Sequence, residues 1–285
     1  MVAGTTLTFA ISDVFTKYVA MRNPPDQIVA VRYVASLILL LIFVLPRIRR
    51  RLWTTRRPGQ LIVRGLALSA LSITLVKALS LMPVGETIAI IYLSPIAVML
   101  LAVPLFGERV SRIGWSFAIF GFLGVLLIMR PGTGLNPLGV TYAVGNAAAA
   151  AALHLMTRHL AREDSAIVML FYATLTGAVL FGAWSAPSLL QTPPTLTDLC
   201  IMIGIGAIVT GGHFMFAQAY MYAEASLVAP VQYIHLVWAA ALGWAFFGHA
   251  PDIITLCGML MIVIAGIVLA AQSHLANKNK AAGVH

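Results

Sequence analysis

Residues 91–107 read IYLSPIAVMLLAVPLFG, and residues 232–248 read QYIHLVWAAALGWAFFG. In register, Tyr92 falls on Tyr233, Leu101 on Leu242 and Phe106-Gly107 on Phe247-Gly248, each pair 141 residues apart. Further upstream, Ala78 falls on Ala219 with the same offset. The shared phrase closes one long apolar segment and opens the next. An internal repeat inside an apolar chain points to two halves that meet near a bilayer midplane, where many solute carriers build a binding site.

The rest of the chain agrees with residence in a membrane. It is 60% hydrophobic and 9% charged, with a mean hydropathy of +0.94, far from a soluble domain of this length. Several apolar stretches approach the roughly 20 residues needed to cross a hydrocarbon core. They are rich in Ala, Leu, Ile and Val and do not alternate, which selects helices over a barrel. Ten spans are predicted: 2–21, 26–46, 60–81, 84–106, 111–129, 137–157, 165–184, 198–222, 225–247 and 253–272. Breakers separate them, among them Asn23-Pro24-Pro25, Arg57-Pro58-Gly59, Pro131-Gly132 and Thr192-Pro193-Pro194. The first span lacks a basic leader and contains Asp13 and Lys17, so it reads as a retained helix. Cys200 and Cys257 sit in apolar spans without ligand spacing and read as packing residues; no metal site or disulfide framework is implied.

The net charge of +9 is a matter of topology rather than of nucleic acid. Thirteen cations fall in alternate connections, in the Arg47–Arg64 cluster, Arg109 and Arg112, Arg158 and Arg162, and Lys278 and Lys280. The opposite connections hold only Arg22 and Arg130. The rich side is expected in the cytoplasm of a bacterial inner membrane, with both termini inside. Five helices per half invert the second copy, and the charges agree: Glu108-Arg109 on the basic side is answered by His249-Ala250 on the other. The expected fold is therefore an all-α integral membrane protein of two inverted five-helix repeats. The first covers 1–136 and the second 137–272, with a tail over 273–285.

Here the sequence resembles a known family. Ala78-Leu79, Tyr92-Leu93-Ser94-Pro95, Leu105-Phe106-Gly107-Glu108-Arg109 and Gly114, Gly121 and Gly124 are similar to the first repeat of EamA-type carriers of the drug/metabolite transporter superfamily. Ala229-Pro230, Tyr233, Val237-Trp238-Ala239, Phe246-Phe247-Gly248 and Gly258 are similar to the second. His249 departs from the family, which often carries Glu there. The resemblance implies a basket of ten helices around a central cavity, lined chiefly by helices 1, 3, 4, 6, 8 and 9. The Tyr92-Leu93-x-Pro95 phrase is also similar to one in bacterial amino-acid exporters, including those for aromatic amino acids.

Candidate residues follow from chemistry at depth. Pro95 and Pro230 break helix hydrogen bonding beside the repeated tyrosines and free the carbonyls of Ile91 and Ser226. Tyr92, Ser94, Pro95, His213, Gln218, Gln232, Tyr233, His235 and Trp238 are expected around the cavity. For each polar group alone, the competing reading is hydrogen-bonding between helices. Asp13, Lys17, Arg32, Lys77 and Glu86 are gating or coupling candidates, with static ion pairs as the competing reading. An uncompensated charge inside the membrane costs roughly 2.5–3.5 kcal/mol even on insertion scales. Asp13 is therefore expected to pair with Lys17 or Arg32, and Glu86 with Lys77.

No phosphate loop, HExxH or Gly-x-Ser-x-Gly elbow is present, so no cofactor is implied and ATP drive within the chain is disfavoured. The expected partners are a small-molecule substrate and the lipid bilayer; the sequence does not specify an oligomeric state. The leading reading is a secondary transporter working by alternating access, with amino-acid export implied by the resemblance. Alternatives are a carrier for another metabolite or drug, and a subunit with no transport of its own. An integral-membrane enzyme acting on lipid is a further alternative, for which His154, His159, Glu163 and Asp164 form the one local cluster.

Overall fold

The chain reverses where proline, glycine and asparagine interrupt the apolar runs. A computed structural model describes residues 2–43, 46, 55–94, 96–98, 101, 112–130, 134–160, 164–222 and 234–281, without the side chains of 2, 3, 158, 213, 214, 216–222, 269, 270 and 272–281. The described residues form ten helices. They are α1 (Val2–Ala20), α2 (Pro25–Phe43), α3 (Pro58–Leu81), α4 (Val84–Ile91), α5 (Arg112–Ile128), α6 (Pro137–Leu160), α7 (Ala166–Gln191), α8 (Leu196–Tyr222), α9 (Ile234–Phe247) and α10 (Ile253–Ala281). Number and order match the sequence reading. By length and composition, α2, α3, α6 up to Thr157 and α7 each suffice to cross a bilayer.

Three boundaries differ from expectation, each for a local reason. Helix α7 runs on to Gln191 through Pro187, because proline is tolerated in an apolar helix whose neighbours supply hydrogen bonds. The end of that helix is fastened to α2, where Gln27 Nε2 donates to Ser188 Oγ at 2.7 Å and to the Thr192 carbonyl at 2.9 Å. Helix α10 continues to Ala281, so most of the stretch read as a tail is helical. The single span expected over 84–106 is interrupted. Helix α4 ends at Ile91, and Tyr92 and Leu93 form a turn whose N–H groups reach Ile88 and Ile90.

The principal helix contacts join the first five helices to the second five: α5 with α10, α3 with α6, α2 with α7, and α1 with α8 and α9. This interleaving is the two-repeat basket. A core of Val14, Leu79, Met82, Ile88, Ile90, Leu236, Ala239 and Ile262 fills its middle. Gly124 and Gly258 show how closely the halves approach. A Cβ on Gly124 would lie 2.7 Å from the Gly258 carbonyl, and one on Gly258 would lie 2.6 Å from the Gly124 carbonyl. The Gly114–Gly124 face therefore packs inside the bundle, as small residues do where backbones meet in lipid. Cys200 and Cys257 are exposed free thiols rather than core packing residues.

Ion pairs tie the halves together at the end of the bundle where α1 finishes. Arg22 Nη2 lies 2.8 Å from Asp198 Oδ1, and Asn23 Nδ2 donates to Asp198 Oδ2 at 3.0 Å. Arg130 pairs closely with Asp252, the residue that caps α10. Hydrogen bonds from Thr255, with Arg130 adding to them, hold the Asp252 carboxyl below the ordinary carboxylate range.

Candidate functional site

Helix α1 packs against helices of both halves, α2, α3 and α4 of the first and α8 and α9 of the second. Asp13, halfway along it, is only 6% exposed. A buried carboxylate needs a partner, and it finds one on the opposite half: Asp13 Oδ2 lies 3.0 Å from His235 Nε2, near the start of described α9. The expected pairing with Lys17 or Arg32 is thus corrected. His235 in turn meets Tyr92. The phenol oxygen stands 3.5 Å from His235 Nδ1, a long contact, with ring centroids 6.3 Å apart. With the Nε2–H directed at Asp13, Nδ1 accepts from the Tyr92 hydroxyl. Phe9, one turn from Asp13, lies edge-on to His235 at 6.4 Å and fills the space opposite Gly212 of α8.

The geometry comes from helix periodicity and one break. His235 shares the inward face of α9 with Leu236, Ala239 and Gly243, all buried. Tyr92 sits where the α4 ladder fails. The sequence expectation placed a break beside Pro95 for want of an N–H; Pro95 itself lies outside the described residues. The result is a three-helix constellation of acid, imidazole and phenol. A single proton decides whether the Asp13–His235 pair carries net negative charge or none.

One turn beyond Asp13, a cavity of about 320 Å³ opens at the end of the bundle. Lys17, Met82, Glu86, Phe247 and His249 are among its walls. Lys17 does not turn back to Asp13. Its Nζ donates to the carbonyls of Leu79 at 2.9 Å and Met82 at 2.6 Å, and lies 5.4 Å from the Phe247 ring centroid. The reason is legible afterwards: a helix carbonyl normally receives the N–H four residues on, and for Leu79 that residue is Pro83, which has none. A cation at a helix C-terminus is favoured by the dipole as well. Glu86, in the first turn of α4, has its Oε1 3.2 Å from His249 Nε2. The pairing expected with Lys77 is therefore corrected. Gly248, at φ 67°, ends α9 in the left-handed conformation and turns His249 back toward α4.

The remaining candidates divide. Lys77 shares its face of α3 with exposed Leu66, Ala70 and Leu81, and its Nζ lies 5.1 Å from the Tyr142 ring centroid. Lys77 itself is half-buried, and Tyr142 packs against the core of the basket. Arg32 is buried beside Tyr33, its Cζ 5.5 Å from that ring, and Asp13 acts on it electrostatically. Ser94 is buried, and Trp238 Nε1 is buried with no hydrogen-bond partner among the described residues. His213 and Gln218 lie on α8 with side chains outside the described residues, and Gln232, Tyr233 and Pro230 lie outside them altogether. Among the described residues no cluster of His, Cys, Asp and Glu suits a metal.

Comparison with known proteins adds three findings. The sequence pattern of the EamA-like transporter family matches residues 1–130 and again 137–271. The chain is 28% identical over 268 residues to the pseudopaline exporter of Pseudomonas aeruginosa, covering 92% of each chain. It is 29% identical to the S-adenosylmethionine uptake transporter of Rickettsia bellii, over 90% of this chain and 88% of that one. It is 27% identical to the riboflavin transporter of Vibrio cholerae, over 92% and 87%. A crystal structure with 20% identity shares the fold at a TM-score of 0.64, covering 95% of this chain and 96% of the other.

Proposed function

The chain belongs to the EamA-like transporter family, and on that premise we propose that it exports amino acids or related small metabolites across the bacterial cytoplasmic membrane by alternating access. It is a multi-pass membrane transporter of a small metabolite, as its relatives are, and not an enzyme. Amino-acid cargo and outward direction rest on the Tyr92-Leu93-x-Pro95 phrase; the relatives themselves include an exporter and uptake carriers. The proposed repeats are 1–136 and 137–272, followed by 273–285, with the arginine-rich connections and both termini in the cytoplasm.

The observation that carries the mechanism is the contact between Asp13 on α1 and His235 on α9. It joins the two halves at depth, beside the Tyr92 break and below the outer cavity. Rocking one half against the other alters this contact and the mouth of the cavity together. Arg32, which Asp13 influences, is proposed to share in the coupling, and Tyr233, His213, Gln218, Gln232 and Trp238 to complete the wall.

The test is counterflow in proteoliposomes loaded with unlabelled solute and presented with labelled L-phenylalanine, S-adenosylmethionine or riboflavin. Trans-stimulated phenylalanine uptake that falls in Tyr92→Ala, with the variant still monodisperse, is the expected result. Counterflow confined to S-adenosylmethionine or riboflavin would overturn the amino-acid cargo. Undiminished counterflow in Tyr92→Ala would overturn the assignment of the site.

A further inference from the structure

The Glu86–His249 contact is built asymmetrically. Glu86 keeps only 6% of its side chain exposed, whereas His249 is 51% exposed on a turn beyond α9. The carboxylate is fixed in the first turn of α4, where the helix dipole favours negative charge. Its partner stands on a reversal made by Gly248 and can leave for water without stranding another buried group. When it leaves, the carboxylate, on which Lys17 still acts electrostatically, has a hydrogen-bonding position open to a cavity of about 320 Å³. The same cavity already presents an aromatic face to an ammonium, since Lys17 Nζ lies 5.4 Å from the Phe247 centroid.

We propose that Glu86 receives the ammonium group of an amine-bearing solute in this outer cavity, and that His249 is its proton-dependent competitor. Two other charged groups stand near this contact, and Lys17 acts on Glu86 electrostatically. Lys17, packed in from α1, holds the Leu79 and Met82 carbonyls, and Asp252, at the start of α10, is paired with Arg130. An imidazolium adds a unit positive charge to the bond that a neutral imidazole already makes to a carboxylate, and opposite charges at this distance attract. Protonation of His249 therefore strengthens the clasp and opposes the amine; loss of that proton weakens the clasp and favours the amine. Solute and proton then exclude one another at a point that also ties α4 of the first half to the end of α9 of the second. The proposal rests on the carrier reading only in treating the ligand as cargo.

Equilibrium binding to the full chain in nanodiscs tests it, with β-phenylethylamine as the amine probe and uncharged 2-phenylethanol as its isostere. The wild type is expected to bind the amine about tenfold more weakly at about pH 5.5 than at about pH 7.5. His249→Ala should bind it equally at both, and His249→Lys weakly at both. Glu86→Gln should lose the preference for amine over alcohol, whereas Glu86→Asp should keep it. Amine binding that ignores pH in the wild type overturns the proposal. So does a pH dependence that survives in His249→Ala, an amine preference that persists in Glu86→Gln, or no saturable amine binding at about pH 7.5. Failure of counterflow with this binding pattern intact would strike the carrier reading alone.

Discussion

At the scale of single residues, neighbouring charges on one helix are compensated in different ways. Asp13 uses a titratable group and Lys17 uses carbonyls, although the two are four residues apart on one helix. Lys17→Met removes charge-assisted bonds worth about 1.5–3 kcal/mol each in a typical case and should lower the melting temperature in detergent. Asp13 and His235 should behave as one unit. Asp13→Asn and His235→Gln are each expected to reduce counterflow about tenfold or more, and the double variant no further, as groups acting together are non-additive. Multiplying losses in the double variant would mean that the two side chains act separately.

At the scale of elements, the α5–α10 contact is held at backbone distance by Gly124 and Gly258. Gly124→Leu places a side chain where a carbonyl already lies, and overpacking of this kind costs typically about 1–3 kcal/mol. The expected outcome is a lower melting temperature with phenylalanine affinity retained in whatever fraction stays folded, read by thermal-shift and binding assays on the same preparation. A variant as stable as wild type would show that α5 and α10 do not approach as closely as the glycines permit. The interrupted α4 is the opposite kind of element. Its turn at Tyr92 and Leu93 keeps both N–H groups bonded, to the Ile88 and Ile90 carbonyls, so the interruption leaves neither amide unsatisfied in the bilayer.

For the whole molecule, the interleaving of the two halves makes the proposed binding region a shared wall: no half holds both Asp13 and His235. Topology is the property to test at this scale. A fluorescent protein fused to either terminus should mature, and alkaline phosphatase fused there should stay inactive; active phosphatase at either end would reverse the proposed orientation. Number and order of helices and the two-repeat fold were legible in the sequence alone. Hydrophobic length, breakers and charge asymmetry act locally, so they can be read locally. The partners of the charges were not legible. Asp13 meets His235, 222 residues away, and Glu86 meets His249, 163 residues away, because each contact depends on how one helix is rotated against another. Lys17 shows where the line falls: Pro83 marked an orphan carbonyl in the sequence, but only the packing of α1 against α3 brought a cation to it.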